Sequence, residues 1–395
     1  MNMSSSLIAR FWGGWVRGSR FGAGRKRWAA KQPRLEALEG RVVLSAGYKI
    51  SDLGTLGGQY DATMAINDRG QVVGWSFTAG NEYEHAFLSN HSKLKSLGSL
   101  TLGGGSQATG INDRGQVVGF EQNSRLTQAE IFLYDHGKMK NVGEMTTIPT
   151  MVAINNRDQI IGFSTQAGDA ELMSGGHLKD LGSLKGLGSV ALGINNHGTV
   201  VGYSALKLPT VIAFDPITDP LPGDGPRAQP PIEQIIPGIQ HAFVYRNGHM
   251  TDLGTLGGSS SEAMAVNNHG DVVGWSYDTG DAGQHAFLDH NGTMTNLGTL
   301  GGYASGATAI NDKGQVVGWS YVAGNSQVDA FLYRDGTMVD LSKLVTSNTG
   351  LTLDAVVGIN NHGQIAAIGG TPDGSEVALI LTPNKTPRNE PVAAT

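Results

Sequence analysis

The sequence contains no cysteine and no long hydrophobic run. Without cysteine there is no disulfide framework, no thiol nucleophile and no Cys-ligated zinc site. No stretch approaches the roughly 20 apolar residues that a membrane-spanning helix needs. Export stays compatible with these absences, because a chain of 395 residues can bury a core that is stable without disulfides. The missing residue types therefore exclude several chemistries without fixing a compartment.

Basic and acidic residues are unevenly distributed along the chain. It has 28 Lys and Arg against 34 Asp and Glu, a formal net charge of -6. Residues 1–46 hold nine of the basic residues and only two acidic ones, Glu36 and Glu39, so the remainder is strongly acidic. An acidic body repels a phosphate backbone, and nucleic acid is therefore not expected as a partner.

Residues 1–46 are predicted to be a basic leader for export or sorting. The segment is rich in Ser and Gly at first and lacks the long apolar core of an ordinary signal peptide. Its end, residues 33–46, resembles the Leu-Glu-x-Leu-Glu-x-Arg-x-Leu-Leu-Ser sorting motif of exported bacterial proteins. The resemblance implies an extracellular or cell-envelope protein whose leader is disordered or removed. A plain disordered basic tail is the alternative.

Glycine, by contrast, is abundant and marks an internal repeat. The chain has 58 glycines, about twice the usual share of roughly 7%. Variants of Ala-Ile-Asn-Asp-x-Gly-Gln-Val-Val-Gly occur seven times. The first Asn of each copy falls at Asn67, Asn112, Asn155, Asn195, Asn267, Asn311 and Asn360. Five of the six spacings lie between 40 and 49 residues and one is 72, a period typical of the four-stranded blades of a β-propeller.

One repeat unit, residues 307–341, predicts four short strands. Their expected bounds are 307–310, 315–321, 330–333 and 337–341, separated by turns that contain Asn, Asp and Gly. Because all the connections within a unit are short, the four strands must be antiparallel.

The two ends of the chain predict how the array closes. Residues 48–53 look like a fourth strand and residues 377–381 look like a third strand, so that together they complete one unit. We therefore predict an all-β fold over residues 47–383. It is a seven-bladed β-propeller of four-stranded antiparallel blades, with the ring closed by an N-terminal outer strand. Residues 384–395 are expected to be a flexible C-terminal tail, and the protein is expected to be a monomer.

Two further positions recur with a constant size. A small residue precedes the Ile or Val of the first strand, which predicts a crowded environment near the axis. These residues are Ala65, Gly110, Ala153, Gly193, Ala265, Ala309 and Gly358. A large ring occupies one site of the second strand and is interpreted as packing between blades. These rings are Trp75, Phe120, Phe163, Tyr203, Trp275 and Trp319.

Three motifs recur in a fixed order: Ala-Ile-Asn-Asp-x-Gly-Gln-Val-Val-Gly, His-Ala-Phe-Leu and Asp-Leu-Gly-Thr-Leu-Gly-Gly. Together they resemble the HAF-repeat family of predicted extracellular bacterial proteins, over nearly all of residues 48–382. The resemblance implies an exported protein but brings no established activity or catalytic residues. The namesake His is kept only at His85, His241 and His285, so no invariant metal ring is expected.

One face of the predicted propeller carries the variable loops. The connections between second and third strands share this face with those between successive blades. The candidate binding residues on this face are Gly57, Gly58, Gly257, Gly258, Gly301, Gly302, His85, His241, His285, Asp278 and Asp281. An insertion at residues 205–240 holds eight of the fourteen prolines and predicts a stiff, irregular arm, which either binds a partner or is neutral.

Motifs for specific chemistry are weak. The glycine pairs lack the Gly-x-x-x-x-Gly-Lys-Ser/Thr of a phosphate loop. Asn-Asp-x-Gly lacks the alternating acidic ligands and distal Glu of a calcium loop, so Asx-turns are preferred over calcium, and no cofactor or metal is predicted. His197, His269 and His362 share a turn position with Arg69 and Lys313, which indicates exposure to solvent. Catalytic residues are unknown, although Asp278, Asp281 and Glu262 could supply paired carboxylates.

The sequence thus favours an exported, non-catalytic binding or scaffold module for an extracellular or cell-envelope protein or polysaccharide. A glycan-cleaving hydrolase or lyase is the first alternative, and a purely structural surface protein is the second. Clustered acids or a His pair at the mouth of the central channel would favour the enzyme. A polar rim with scattered aromatic residues would favour binding.

Overall fold

The computed structural model describes most of the chain after the leader. The described residues are 47–90, 93–122, 129–145, 151–164, 168–214, 232–236, 238–346 and 349–384. They all fall within the compact unit Ala46–Thr395. The predicted leader, residues 1–46, and nearly all of the predicted tail, from residue 385 onward, lie outside the described residues.

The first half of the chain is a succession of short strands. The strands are β1 Tyr48–Asp52, β2 Gly57–Ile66, β3 Gln71–Thr78, β4 Glu84–Asn90, β5 Leu94–Gly98, β6 Gly105–Ile111, β7 Val117–Gln122, β8 Ala129–Asp135, β9 Lys138–Met145, β10 Ala153–Ile154, β11 Ile160–Ser164, β12 Ala170–Ser174, β13 His177–Asp180, β14 Ser189–Ile194 and β15 Val200–Lys207.

The second half continues in the same way. The strands are β16 Thr210–Phe214, β17 Ile232–Ile236, β18 Ile239–Arg246, β19 His249–Gly254, β20 Gly257–Val266, β21 Val272–Asp278, β22 Gln284–His290, β23 Thr293–Asn296, β24 Gly301–Ile310, β25 Val316–Val322, β26 Val328–Arg334, β27 Thr337–Asp340, β28 Ala355–Ile359, β29 Ile365–Gly370 and β30 Glu376–Pro383. The helical elements are single 3-10 turns at Ala79–Asn81, Thr279–Asp281 and Leu341–Leu344. Within the described ranges, no helix has the length and apolarity needed to cross a membrane.

Antiparallel four-stranded sheets account for nearly all of these strands. Five of them have the orders β2-β3-β4-β5, β6-β7-β8-β9, β10-β11-β12-β13, β14-β15-β18-β19 and β1-β30-β29-β28. Two further antiparallel groups, β20 to β23 and β24 to β27, merge into one eight-stranded sheet through a single parallel pairing of Gln284 with Ala304. The expected all-β fold of four-stranded antiparallel sheets is therefore confirmed.

The N-terminal strand belongs to the same sheet as the last three strands. β1 pairs with β30 in a register that runs from Tyr48 opposite Pro383 to Asp52 opposite Leu379. Beyond the strand, Leu53 N donates to Ala378 O at 3.0 Å. Residues more than 300 positions apart in sequence are thus neighbours at this edge.

The structure departs most from the sequence-based strand assignment in two places. The first strand of the unit at residues 307–341 begins at Gly301, six residues before the expected start, because its pairing with β25 extends past a register shift. The insertion at residues 205–240 is not wholly irregular either. β16 and β17 pair antiparallel, with Thr210 opposite Ile236, while residues 215–231 lie outside the described residues.

Close backbone contact explains the glycine of each Val-Val-Gly. A Cβ on Gly74 would lie 1.9 Å from Ala62 O, and one on Gly274 would lie 1.9 Å from Glu262 O. In the sheets that have this glycine, the first and second strands therefore lie too close together for a side chain at that position. The small residues of the first strand are explained by a similar close contact, in this case between neighbouring sheets. A Cβ on Gly193 would lie 3.0 Å from Met264 O. This agrees with the predicted crowding.

The core lies in small clusters between neighbouring sheets. The Phe of each His-Ala-Phe-Leu equivalent is fully buried. These residues are Phe87, Phe132, Phe243, Phe287 and Phe331. Each should contribute a few kcal/mol, because a buried aromatic side chain removes a large apolar area from water. The motif is therefore mainly a folding signal, with its Ala and Phe in the core.

The conserved Asn of each repeat holds its own turn and reaches the next copy. In the first copy, Asn67 Oδ1 accepts hydrogen bonds from Arg69 N at 3.1 Å and Gln71 N at 2.9 Å, which is an Asx-turn. Asn67 Nδ2 donates to Asn112 O in the next copy at 2.9 Å. All seven copies repeat this arrangement, with inter-copy distances of 2.8 to 3.2 Å. The last one runs from Asn360 Nδ2 to Asn67 O.

The following residue in each turn forms a second series. Asp68 N donates to Asp113 Oδ1 at 2.9 Å, and the same bond recurs from copy to copy until Asn361 N donates to Asp68 Oδ1 at 2.7 Å. The third turn residues point outward, and His197, His269 and His362 are exposed as expected. The turns thus use their amide and carboxyl groups to join neighbouring sheets.

Candidate binding surface

The candidate binding residues, His241 excepted, lie where first strands begin and where second strands turn into third strands. This surface, which we call the loop face, comprises residues 57–60, 77–85, 102–105, 257–259, 277–285, 301–303 and 321–328. Two structurally matching segments, Phe77 to His85 and Tyr277 to His285, give it a repeated local geometry that includes a 3-10 turn in each.

The glycine pairs lie inside strands and not in free loops. Gly57, Gly257 and Gly301 open β2, β20 and β24 with φ values of +104°, +105° and +104°. The second glycine of each pair packs under the neighbouring loop, where a Cβ on Gly58 would lie 2.4 Å from Phe77 Cβ. Backbone conformation and close packing therefore account for Gly57, Gly58, Gly257, Gly258, Gly301 and Gly302.

A side-chain hydrogen bond fixes the residue after each glycine pair to the neighbouring loop. Asp281 adopts a φ of +55°, and its Oδ1 accepts a hydrogen bond from Ser259 N at 2.7 Å. Asn81 and Asn325 do the same for Gln59 N and Tyr303 N, each at 2.9 Å. Asp281 thus has a structural partner in Ser259 N, and it is the non-glycine residue of its loop that adopts the left-handed conformation.

The three candidate histidines have different surroundings. His85 Nδ1 lies 3.2 Å from Ser96 Oγ, and its ring stacks on Tyr83 with centroids 6.2 Å apart. His241 Nδ1 lies 2.9 Å from Asp252 Oδ2 on the adjacent outer strand. His285 instead turns toward the loop. His85 and His241 thus make equivalent contacts with the fourth strand, whereas His285 does not, so the three histidines do not form one repeated site.

His285 and Asp278 form an ion-pair contact on the loop face. His285 Nε2 lies 3.2 Å from Asp278 Oδ2, and His285 Nδ1 is buried without a hydrogen bond. Asp278 Oδ1 accepts from Gly283 N at 2.8 Å. The hydrogen bond from Gly283, together with the contact to His285, lowers the pKa of Asp278 below its usual value. A carboxylate with a lowered pKa is a hydrogen-bond acceptor and a poor general acid at neutral pH.

Aromatic side chains, which the sequence-based site omitted, form part of the loop face. Tyr303 is 44% exposed, and its ring lies 4.6 Å from that of Tyr321, with a tilt of 31° between the planes. Trp319 packs edge-on against Tyr321 at 6.3 Å. The hydrogen bond with Tyr321, helped by burial, raises the pKa of Tyr303 to about 12. Tyr303 is therefore neutral at physiological pH.

The same arrangement recurs on other sheets. Trp275 packs edge-on against Tyr277 at 5.6 Å, and Trp75 packs edge-on against Phe77 at 5.9 Å. We call Tyr277, Tyr303 and Tyr321 the tyrosine patch. The sequence signal for Tyr277 and Tyr321 is their position two residues after Trp275 and Trp319, in Trp-Ser-Tyr.

Two buried glutamates near the loop face are paired with amides of a neighbouring sheet. Gln240 Nε2 donates to Glu262 Oε2 at 3.0 Å. Burial raises the pKa of Glu262 to about 7, and burial likewise raises that of Glu84 to about 7 beside Gln107. The candidate acids Glu262, Asp278 and Asp281 are thus each engaged in a separate contact. No cluster of three or more His, Asp or Glu side chains within the described ranges could hold a metal ion.

Comparisons with known proteins identify the fold and no family. No family model matches the sequence, and no curated protein matches it. The structure is similar to the β-propeller domain of the Trilobed protease from Pyrococcus furiosus, with 10% identity, a TM-score of 0.50, and coverage of 89% of this chain and 99% of that one.

Two further solved structures are similar at lower scores. YCF48 bound to D1 peptide has 12% identity and a TM-score of 0.48, over 85% of this chain and 97% of that one. A xyloglucanase from Xanthomonas campestris has 11% identity and a TM-score of 0.43, over 83% and 55%. At such identities the similarity concerns the fold alone. The chain has a β-propeller fold.

Proposed function

We propose that this protein is an exported, seven-bladed β-propeller that binds a polysaccharide or protein of the cell envelope or surroundings without catalysing a reaction. The observation that carries the proposal is the loop face, where the exposed Tyr303 and the half-buried Tyr277 and Tyr321 lie beside hydrogen-bonding side chains. Binding surfaces are commonly enriched in Tyr and Trp, because these rings combine a large apolar area with a polar group.

The blade number and closure are supported by the hydrogen bonds of the turns. Each of the seven turns that begin with the repeat Asn donates to the following one, and the seventh, through Asn360, donates to the first, at Asn67. A series that returns to its first member favours a closed ring of seven units. The pairing of β1 with β30 supports an N-terminal strand as the outer strand of the last blade. Closure would remove the edges that an open array exposes.

The tyrosine patch favours binding through stacking and hydrogen bonds. The ring faces of Tyr303 and Tyr321 offer apolar area to a sugar ring or an apolar side chain. Asp278, at the end of β21, adds a carboxylate acceptor on the same face. The chain has 34 acidic residues against 28 basic ones, which favours a neutral or basic ligand over an acidic one.

Export is proposed from the leader and from the resemblance to HAF-repeat proteins. Residues 1–46 concentrate nine Lys and Arg, whereas the remaining chain is acidic. Cell fractionation of the native host would test this directly. Recovery of the protein in the envelope or medium would support export, whether the chain is shortened at its N-terminus or retained at full length. Recovery only in the cytoplasm would contradict it.

The engaged state of the acidic side chains supports binding over catalysis. Glycoside hydrolysis uses two carboxyl groups that flank the scissile bond. Here Asp281 accepts from Ser259 N, Asp278 contacts His285, and Glu262 is paired with Gln240. These contacts give structural roles to the three acids that could otherwise supply a catalytic pair.

The test is retention of ligands by the immobilised full-length chain. Fractionated envelope polysaccharides and proteins are applied separately, and both retained material and newly formed reducing ends are measured. We expect retention without new ends, and Tyr303→Ala should weaken it about tenfold, because truncating a central interface aromatic costs about 1 to 2 kcal/mol.

A matched variant distinguishes binding by the tyrosine patch from nonspecific retention. Leu178 is 50% exposed on β13, at the end of a different sheet. Leu178→Ala should leave retention unchanged. New reducing ends that require the folded chain would establish the glycan-cleaving alternative, and neither retention nor products would favour the structural one.

A further inference from the structure

A serine in the first strand of several sheets bridges two backbone groups of the neighbouring sheet. Ser261 Oγ accepts a hydrogen bond from Ala242 N at 2.9 Å and donates one to Gly254 O at 2.5 Å. Ser106, Ser189 and Ser305 repeat both bonds at the junctions that they occupy. The hydroxyl suits this place because it accepts and donates at once.

At the junction between β30 and β2, an aspartate takes the place of that serine. Asp61 Oδ1 accepts a hydrogen bond from Ala378 N, as the serines accept from their Ala N–H groups. The surrounding backbone is also the same. Leu53 N donates to Ala378 O at 3.0 Å, and Leu297 N donates to Ala286 O at 2.9 Å. The junction that joins the two ends of the chain thus matches these four serine junctions in the bond to the Ala N–H and differs from them in this side chain.

The second carboxyl oxygen of Asp61 has no donor to satisfy it. Asp61 is 0% exposed, and Oδ2 is buried without a hydrogen-bond partner. By analogy with Ser261 and Gly254, the group that belongs opposite this oxygen is the carbonyl of Gly54, seven residues earlier. An ionised carboxylate cannot donate to a carbonyl, and burying it without a compensating donor is costly. A protonated carboxyl group donates there and reproduces the serine arrangement.

We propose that Asp61 is a neutral carboxylic acid that donates from Oδ2 to Gly54 O, and that it thereby forms a pH-sensitive latch between the N-terminal and C-terminal strands. Ionisation removes the donor and leaves a buried negative charge between β2 and β30. The junction therefore holds at acidic pH and loosens as the pH rises.

The charged groups near Asp61 reinforce this behaviour. Burial raises the pKa of Asp61 to about 7, Ala378 N opposes the rise, and the carboxylates of Asp52 on β1 and Glu376 on β30 add to it. Burial and Asp354 raise the pKa of Glu376 to about 7 as well. The groups that act on Asp61 electrostatically are acidic, so none of them stabilises its ionised form.

The sign of the pH effect follows from this raised pKa. The unfolded chain ionises Asp61 near pH 4, whereas the folded chain keeps the proton until about pH 7. Stability from this group is therefore fully present below about pH 4 and is lost as the pH rises toward 7. Asp61→Ser, which installs the residue of the other junctions, removes this dependence. Asp61→Asn also removes it, because a carboxamide donates and accepts at every pH.

The experiment measures urea unfolding of the full-length chain at pH 5 and pH 7 for the unmodified protein, Asp61→Ser and Asp61→Asn. Glu376→Gln serves as the control for the neighbouring acid. Between these two pH values, the unfolding equilibrium constant of the unmodified protein should rise about 50-fold relative to either Asp61 variant. Glu376→Gln should retain most of that Asp61-dependent rise.

Hydrogen exchange locates the effect. After correction for intrinsic rates, amides of β1 and β30 should exchange faster at pH 7 than at pH 5 in the unmodified protein, and the two Asp61 variants should lack this acceleration. If one variant fails to fold, the other still decides. Equal pH dependence in the unmodified protein and in a folded Asp61 variant, or acceleration spread over all sheets, would overturn the proposal.

Discussion

Replacing Asn360 by Ala should destabilise the protein strongly, because this side chain joins the last repeat to the first. Asn360 is 3% exposed. Its Oδ1 accepts from His362 N at 3.0 Å and Gln364 N at 2.9 Å, and its Nδ2 donates to Asn67 O at 3.0 Å. The substitution leaves three backbone groups without this partner. At about 1 kcal/mol each, the free energy of unfolding should fall by about 3 kcal/mol.

The assay is urea unfolding of the full-length chain, followed by tryptophan fluorescence and by far-UV circular dichroism. Asn360→Asp keeps the two acceptor roles and removes the donor to Asn67 O, so it isolates the bond between the chain ends. His362→Ala is the matched control in the same turn. Its side chain is exposed, and its removal should change stability by less than about 0.5 kcal/mol.

The result that refutes this reasoning is a loss for Asn360→Ala no larger than that for His362→Ala. Such a result would mean that solvent replaces the bonds of the turn and that the contact between Asn360 and Asn67 does not hold the chain ends together. If Asn360→Ala is destabilising while Asn360→Asp is neutral, the turn itself matters but the bond across the ends does not.

Two other changes test packing and ionisation. Gly318→Ala should severely impair folding, because its Cβ would lie 2.1 Å from Gly306 O. Gly105→Ala should be tolerated, because the atom nearest to its Cβ would be 3.6 Å away. Soluble yield and urea midpoints check both variants, and equal behaviour would contradict the packing argument. Glu262→Gln should flatten the pH dependence of unfolding between about pH 4.5 and 7. Burial raises the pKa of Glu262 to about 7, so the stabilising effect of the protonated carboxyl group is lost as the pH rises through this range. An unchanged profile of urea midpoint against pH would contradict this.

The strand content and the repeat could be predicted because each rests on local sequence. Alternating apolar residues and Gly-containing turns recur with a nearly constant spacing, so one unit predicts the others. The bounds were less accurate at β24, which starts at Gly301, because its pairing continues past a register shift. The insertion also contains the β16–β17 pairing, which its proline content did not suggest.

The candidate binding residues were harder to interpret from sequence. Gly58 and Asp281 stand out as recurring polar or flexible positions, but the structure gives them local partners in the loop. Tyr303 was not singled out, since an isolated tyrosine in a strand carries no sequence signal of exposure. Its contact with Tyr321 joins residues from two strands, and only the folded sheet brings them within 4.6 Å.

The sequence by itself determined the repeat, the antiparallel strands and the turns, because these depend on residues close together in the chain. Tertiary structure decided which turns donate to which, and it brought Asn360 to Asn67 across 293 positions. It also made Asp61 exceptional. In the sequence Asp61 is one more polar residue of a strand, but the fold buries it between the two ends of the chain, where a carboxyl group lacks the solvent that would favour its charge.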